Sequence, residues 1–204
     1  MTTSEATGSR GAILRRIADA HGAPVRHRRS HRLVAMAATP REASGDADEE
    51  WLAVLRALHA LRGRDWPAVI VPVSAGSLHA DGFADRLDAL TEQYGLAPGR
   101  LWVQVESSEA ALSAPEVVQQ LAHGHMAGVR LDVSQGFRER ALLPDLAALG
   151  ASFAWLEPAD GRCVADDLSG LIVGRSLVRR AQTHGMAVIA REDLQADLVP
   201  PASP

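Results

Sequence analysis

Apolar runs of strand length alternate with helical patterns along most of this chain. Between the runs, apolar residues recur every three or four positions, as on one face of an α-helix. A glycine follows each helical pattern, where the end of a helix favours a positive φ angle. The apolar runs are Ala68–Val73, Leu101–Val105, Val129–Val133, Phe153–Leu156 and Ala187–Ala190, and the helical patterns are Phe83–Tyr94, Pro115–His123, Arg138–Leu149 and Leu168–His184.

This alternation predicts βαβ units and therefore a parallel sheet. Strands that are mostly apolar fit a sheet that is buried on both faces. The pattern by itself predicts an α/β fold, either a (β/α) barrel or an open doubly wound sheet.

The N-terminal part of the chain adds strands and helices to this prediction. Two extended stretches lie within Val25–Ala38, and helices are predicted over Ala12–Ala20 and Asp48–Leu61. We count six strong strands and a seventh near Val25. A complete eight-fold barrel usually takes ~250 residues, so we expect a shortened barrel and leave open whether it closes. The predicted organisation is a tail with a short helix over residues 1–24, one domain over 25–198 and a C-terminal tail over 199–204.

Composition narrows the class of protein. The chain has 204 residues and a formal net charge of −4, which gives no broad electrostatic case for binding nucleic acid or an anionic membrane. No apolar stretch approaches the ~20 residues that a membrane span needs, and no signal peptide is visible. Cys163 is the single cysteine, so it cannot form an internal disulfide. These features predict a cytoplasmic protein.

The basic residues are unusual because all 21 of them are arginine. The sequence contains no lysine and no asparagine. Chemistry that needs a lysine ammonium group or an asparagine carbonyl therefore cannot be carried out by this chain alone.

Several strand ends carry recognisable segments. They read Val71-Pro-Val-Ser-Ala-Gly-Ser-Leu78, Leu101-Trp-Val-Gln-Val-Glu-Ser-Ser-Glu109, Val129-Arg-Leu-Asp-Val-Ser-Gln135 and Trp155-Leu-Glu157. Together with their flanks, over residues 32–198, they resemble the EAL-domain family, phosphodiesterases that cleave the bacterial second messenger cyclic di-GMP. The resemblance implies a TIM-type (β/α) barrel. The family's last strand finds no counterpart, so a truncated domain is expected.

The resemblance also identifies where the family carries its metal ligands and catalytic groups. The Glu that names the family falls on Ala37, or on Met36 if the register slips by one. Trp155 stands in place of the catalytic Lys, and Arg41 matches an Arg that contacts a substrate phosphate. The family's remaining metal-binding and catalytic positions fall on Pro72, Gln104, Ser134, Gln135, Glu157 and Arg191.

Hydrolysis by two metals requires clustered anionic ligands, which hold the cations and lower the pKa of a bound water. Six of the matched positions offer no carboxylate, namely Ala37, Pro72, Gln104, Ser134, Gln135 and Arg191. We therefore predict no catalytic residue, no metal, no cofactor and no enzymatic activity.

Three functional hypotheses follow. The favoured one is a regulatory protein of bacterial signalling that acts by binding another protein or a second copy of itself. The alternative is a receptor that binds cyclic di-GMP without cleaving it, with Arg41 gripping a phosphate and Trp155 stacking on a guanine. Against this alternative, the favoured interpretation of Arg41 is a solvated surface residue beside Glu42, and that of Trp155 is a side chain that fills the space of the lost pocket. The third hypothesis is an unrelated enzyme on a (β/α) barrel.

Overall fold

A closed barrel of eight strands forms the centre of the described part of the chain. In this computed structural model, the described residues are 22–30, 32–38, 46–63, 66–78, 80, 82–97, 99–106, 126–132, 135–157, 168–190, 194 and 196–199. The strands are β1 (Gly22–His27), β2 (Leu33–Ala38), β3 (Val69–Val73), β4 (Leu101–Glu106), β5 (Met126–Asp132), β6 (Phe153–Glu157), β7 (Ala187–Ile189) and β8 (Leu198–Val199).

Five helices accompany the strands in the same described ranges. They are α1 (Ala47–Gly63), α2 (Ala75–Leu78), α3 (Phe83–Gln93), α4 (Gly136–Ala148) and α5 (Leu168–Thr183). Neighbouring strands from β2 to β8 are parallel, whereas β1 is antiparallel to both β2 and β8. The α/β class predicted from the alternating pattern is confirmed. Of the two architectures that the pattern left open, the structure has the barrel, which is the one that the resemblance implied.

The predicted count of six to seven strands was too low, because a two-residue strand, β8, closes the barrel. Leu198 pairs with Ile189 of β7 on one side and with His27 of β1 on the other. The backbone N–H of Arg28 also donates to the carbonyl of Asp197 (3.0 Å). Two residues are too few to show a periodic pattern, so the sequence gives no signal for this strand.

Two apolar layers hold the barrel together, because side chains alternate between the two faces of each strand. One layer fills the space between the sheet and the helices, where Val69, Val71 and Val73 pack with helical residues such as Leu58 and Leu87. The other layer fills the interior of the barrel. Its buried members are Val25, Ala35, Ala37, Ala68, Ile70, Trp102, Phe153, Trp155, Ile189 and Leu198.

The predicted helix ends agree with the structure where they are described. Gly95, Gly150 and Gly185 follow α3, α4 and α5 with φ angles of 65°, 94° and 81°. The helices predicted over Ala12–Ala20 and Pro115–His123, like the 1–24 and 199–204 tails apart from residues 22–24 and 199, lie outside the described residues. None of the helices described combines the length and the apolar character that crossing a bilayer requires.

Candidate functional site

The C-terminal ends of the parallel strands meet at one mouth of the barrel, where active sites of such barrels are built. The strand register brings the predicted positions together there. Pro72 pairs with Gln104, and Gln104 pairs with Gly128. One step closer to the mouth, Arg130 pairs with Trp155. Four neighbouring strands, β3 to β6, therefore supply the candidate site.

Aromatic rings occupy the barrel interior beneath this mouth. The rings of Trp102 and Phe153 lie with centroids 5.2 Å apart and their planes tilted by 37°. Phe153 is completely buried, at 0% exposure. Gly128 provides the room for it, because a Cβ atom at this position would come closer than 3.0 Å to three carbons of the Phe153 ring. The interior is therefore a packed core and leaves no room for a larger residue at position 128.

Trp155 belongs to the same packed interior. Its side chain is 2% exposed. Its indole Nε1 has no hydrogen-bond partner in the described part of the structure. A ring that stacks on a base needs an accessible face, so this burial favours the space-filling interpretation of Trp155 over base stacking.

The other matched positions in the barrel are also buried and carry no negative charge. Ala37, Pro72 and Gln104 are all classed among the buried residues. A neutral amide such as Gln104 can offer one weak oxygen ligand, whereas Ala37 and Pro72 offer no side-chain ligand at all.

Pro72 lies within β3 at a position whose backbone groups face β2. In β3, the backbone N–H and C=O groups of the even-numbered residues point toward β2. The hydrogen bond from the Met36 N–H to the Ala68 carbonyl (2.9 Å) shows this direction. The last β2–β3 pair joins Ala37 and Ile70. Because proline has no N–H to donate, the pairing of β2 with β3 does not continue past Ala37 and Ile70.

Arg130 is a residue of this region that the sequence analysis did not single out. Its neighbours Val129 and Leu131 pack in the layer under the helices, so Arg130 lies on the opposite, interior face of β5. It is only 9% exposed, and it has a contact within the fold. A buried guanidinium places a permanent positive charge near the mouth and disfavours a cation beside it. The alternation of apolar and polar residues in Val129-Arg-Leu131 was the signal that could have identified it.

Three carboxylate residues end neighbouring strands at the same mouth. Glu106, Asp132 and Glu157 are the last residues of β4, β5 and β6. In the strand register, Glu106 pairs with Arg130, and Asp132 pairs with Glu157. Asp132 is a second residue of the mouth to which the sequence analysis gave no role.

A buried carboxylate fixes the wall of the mouth beside β3. Glu50 of α1 is 3% exposed. Its Oε2 accepts hydrogen bonds from the Ser74 N–H (2.9 Å), the Ser74 hydroxyl (3.0 Å) and the Ser77 hydroxyl. Because Ser74 directly follows β3 and Ser77 lies in α2, this cluster ties the turn after β3 to α1. These residues are 24 to 27 positions apart in the chain, which is why no local motif revealed the contact.

The remaining predicted positions are not part of this packed region. Gln135 is exposed at the start of α4, where its Oε1 accepts a hydrogen bond from Arg138 (3.3 Å). Arg41, Ser134 and Arg191 lie outside the described residues, and for Glu157 the backbone position alone is described. Within the described ranges, no three His, Cys, Asp or Glu side chains form a group that could hold a metal ion.

Comparisons with known proteins agree with this architecture. No protein-family model matches the chain, and no curated protein matches it. Solved structures do. The EAL domain of Mycobacterium smegmatis DcpA is 17% identical over 89% of this chain and 86% of that chain, with a TM-score of 0.68.

Two ligand-bound structures are equally similar. The PaMucR phosphodiesterase in complex with c-di-GMP is 16% identical over 89% of this chain and 92% of its own, with a TM-score of 0.68. The FimX EAL domain from Pseudomonas aeruginosa bound to c-di-GMP is 17% identical over 93% and 92%, with a TM-score of 0.67. At these identities the likeness concerns the fold, and on that basis the chain has the fold of an EAL domain.

Proposed function

We propose that this chain is a non-enzymatic EAL-like protein of bacterial signalling that acts by binding another protein. The observation that carries the proposal is the chemistry of the barrel interior below the mouth. Trp155 is buried at the position that the resemblance assigns to a catalytic Lys, and the chain contains no Lys that could replace it. Hydrolysis of a phosphodiester by this fold's chemistry needs cations, and cations need clustered anionic ligands.

The charge of the interior supports the same proposal. Ala37, Pro72 and Gln104 supply no negative charge, and Arg130 adds a buried positive one. A cation held there would lack several anionic ligands. The residues of this mouth that could supply negative charge to a cation are Glu106, Asp132 and Glu157, which end β4 to β6.

The test is a phosphodiesterase assay on the purified full chain. Cyclic di-GMP is incubated with the protein in Mg²⁺ and, separately, in Mn²⁺, with the PaMucR phosphodiesterase as the active control. We expect the linear dinucleotide to form in the control and to stay at background with this chain. Sustained turnover that disappears in Glu106→Gln or Asp132→Asn variants would overturn the proposal and assign the activity to the strand-end carboxylates.

Binding to a partner protein or to a second copy is tested separately. Light scattering of the purified chain, alone and after affinity capture from the cells that produce it, measures the mass of the species in solution. The proposal expects either a homo-oligomer or a complex of defined stoichiometry. A chain that stays monomeric and captures no protein in defined ratio would contradict it.

A second candidate function is supported by the FimX EAL domain, whose structure holds c-di-GMP. In this candidate the chain binds cyclic di-GMP without cleaving it, and Arg41 grips a phosphate. Calorimetry with the dinucleotide distinguishes the two candidates. Micromolar or tighter binding that is lost in Arg41→Ala, and kept in Arg62→Ala at an exposed site on α1, would favour the receptor.

A further inference from the structure

A groove between α4 and α5 concentrates positive charge on the outside of the barrel. Residues at three- and four-residue spacing form one stripe along α5 that is exposed at Ile172, Arg179 and Thr183 and half-buried between them. The opposite face of the same helix, with Leu177, Val178 and Ala181, is buried against the barrel. Arg140 of α4 forms the opposite wall. The groove has a volume of about 450 Å³ and is lined by Arg140, Ile172, Arg175, Ser176, Arg179, Arg180 and Thr183.

Three of the four guanidinium groups of this groove have no carboxylate partner among the residues that the structure describes. Arg175 has a contact of its own. For Arg140, Arg179 and Arg180, in contrast, the described residues provide no carboxylate partner. The Nε of Arg180 is in addition buried without any hydrogen-bond acceptor. A carboxylate in the groove would therefore meet other atoms of Arg180, which also lines the groove, rather than this closed Nε.

An apolar side chain stands among these charges. Ile172 is 61% exposed, and it is the large hydrophobic residue that the described structure leaves open to solvent. Isoleucine is usually buried, and an exposed apolar group bordered by arginines is typical of the surfaces with which proteins bind one another.

The groove is also held in a fixed shape. α4 approaches α5 closely at Gly136, where a Cβ atom would come closer than 3.0 Å to Val173. Because the two helices touch at this point, the walls of the groove are preformed and need little rearrangement on binding.

We propose that this groove binds an acidic segment of a partner protein, with carboxylates on Arg140, Arg179 and Arg180 and an apolar side chain on Ile172. The proposal rests on the proposed function, since it names the surface and the partner chemistry of a protein that acts by binding. The partner segment should be acidic because the groove is strongly cationic, although the net charge of the chain is −4.

The dimensions favour a protein segment over a nucleic acid or a membrane. The stripe from Ile172 to Thr183 is about 16 Å long at ~1.5 Å per helical residue. That length suits two or three turns of a helix, whereas strong binding to DNA relies on ~6–10 phosphate contacts. A membrane surface also needs several apolar groups to insert, and this face offers one.

The test uses a fluorescein-labelled synthetic peptide of glutamate, leucine and alanine, designed with glutamates along one helical face. Fluorescence anisotropy measures its binding to the full-length chain and to two single variants, Arg179→Glu on α5 and Arg140→Glu on α4. Arg62→Glu is the matched control, because it makes the same change of charge at an exposed position outside the groove. Circular dichroism checks that each variant is folded.

We expect the acidic peptide to bind in the wild type and each groove variant to weaken it by about tenfold, with Arg62→Glu changing it less than about twofold. A peptide with glutamine in place of glutamate should not bind. The proposal is wrong if the acidic peptide does not bind, if Arg62→Glu weakens it as much as the groove variants, or if single-stranded DNA or phosphatidylserine vesicles bind more tightly. Any of these results would leave the phosphodiesterase assay unchanged, so the groove and the proposed function fail separately.

Discussion

Replacing Gly128 with alanine tests whether the barrel interior is packed as tightly as its geometry indicates. The added Cβ would come closer than 3.0 Å to three carbons of the Phe153 ring. That ring is fully buried and rests on Trp102 at a centroid distance of 5.2 Å, so it has little freedom to move away. Forcing an extra methyl group into a packed core costs ~1–3 kcal/mol, and the three-carbon overlap places this case near ~3 kcal/mol.

The expected effect is large enough to measure by calorimetry. For a chain of this size, ~1 kcal/mol corresponds to a shift in Tm of ~2–4 °C, so Gly128→Ala should lower Tm by about 6–12 °C. Gly76→Ala is the control. Gly76 is exposed in α2, and its Cβ would meet the Ser74 hydroxyl at an ordinary 3.6 Å.

A double-mutant cycle identifies the cause. Phe153→Leu shortens the side chain that Gly128 faces, so the alanine should cost less than about 1 kcal/mol in that background. The reasoning is refuted if Gly128→Ala melts like the wild type, or if its cost is the same with leucine at position 153. Either result would mean that the interior beneath the mouth is not a tightly packed core.

Three further predictions concern contacts around the barrel. Glu50→Ala should lower the free energy of unfolding by at least ~3 kcal/mol, since three donors lose their acceptor at ~1–3 kcal/mol each. Glu49 is exposed on the same turn of α1, so Glu49→Ala should change the free energy of unfolding by less than ~1 kcal/mol. Urea unfolding measures both variants. Arg100→Met removes the bond from Nη2 to the Trp66 carbonyl (2.5 Å) and should cost ~1.5–3 kcal/mol; an unchanged Tm would contradict this. Asp197→Ala removes the acceptor of the Val188 N–H (3.0 Å), so hydrogen exchange at Val188 should accelerate; unaltered protection there would disprove the role of Asp197.

The sequence predicted the regular part of this fold well. The strand predicted over Phe153–Leu156 and the helix predicted over Phe83–Tyr94 differ from the structure by one residue at their ends. Their periodic patterns extend over enough residues to be unambiguous. β8 was not predicted, because it has only two residues and is defined by its pairing with β1 and β7 rather than by its own pattern.

The candidate site was less predictable, because its features depend on which residues meet across the barrel. The Glu50 cluster joins residues on α1 and after β3 that no local spacing relates. The fit between Gly128 and Phe153 depends on the register of β5 and β6. Arg130 could have been assigned to the interior from its apolar neighbours, but its burial follows from closure of the barrel. Long-range register, rather than local propensity, decided these features.

The packed interior also explains how the barrel can keep its fold with few anionic groups at the matched positions. A bound metal stabilises the folded state of a protein that carries one, and under the proposed function the apolar interior supplies that stability instead. Each large apolar side chain that is fully buried contributes ~1.5–3 kcal/mol. Phe153 and Trp155 are two such side chains in the interior, and Trp102 is a third that is buried almost completely. The groove between α4 and α5 lies on the solvent-exposed side of these helices, away from the side that packs on the barrel. Substitutions in the groove therefore do not disturb the packed interior. Variants of Arg140 or Arg179 should therefore weaken binding of the acidic peptide without lowering Tm. Gly128→Ala should lower Tm. This contrast separates the structural role of the interior from the binding role of the surface.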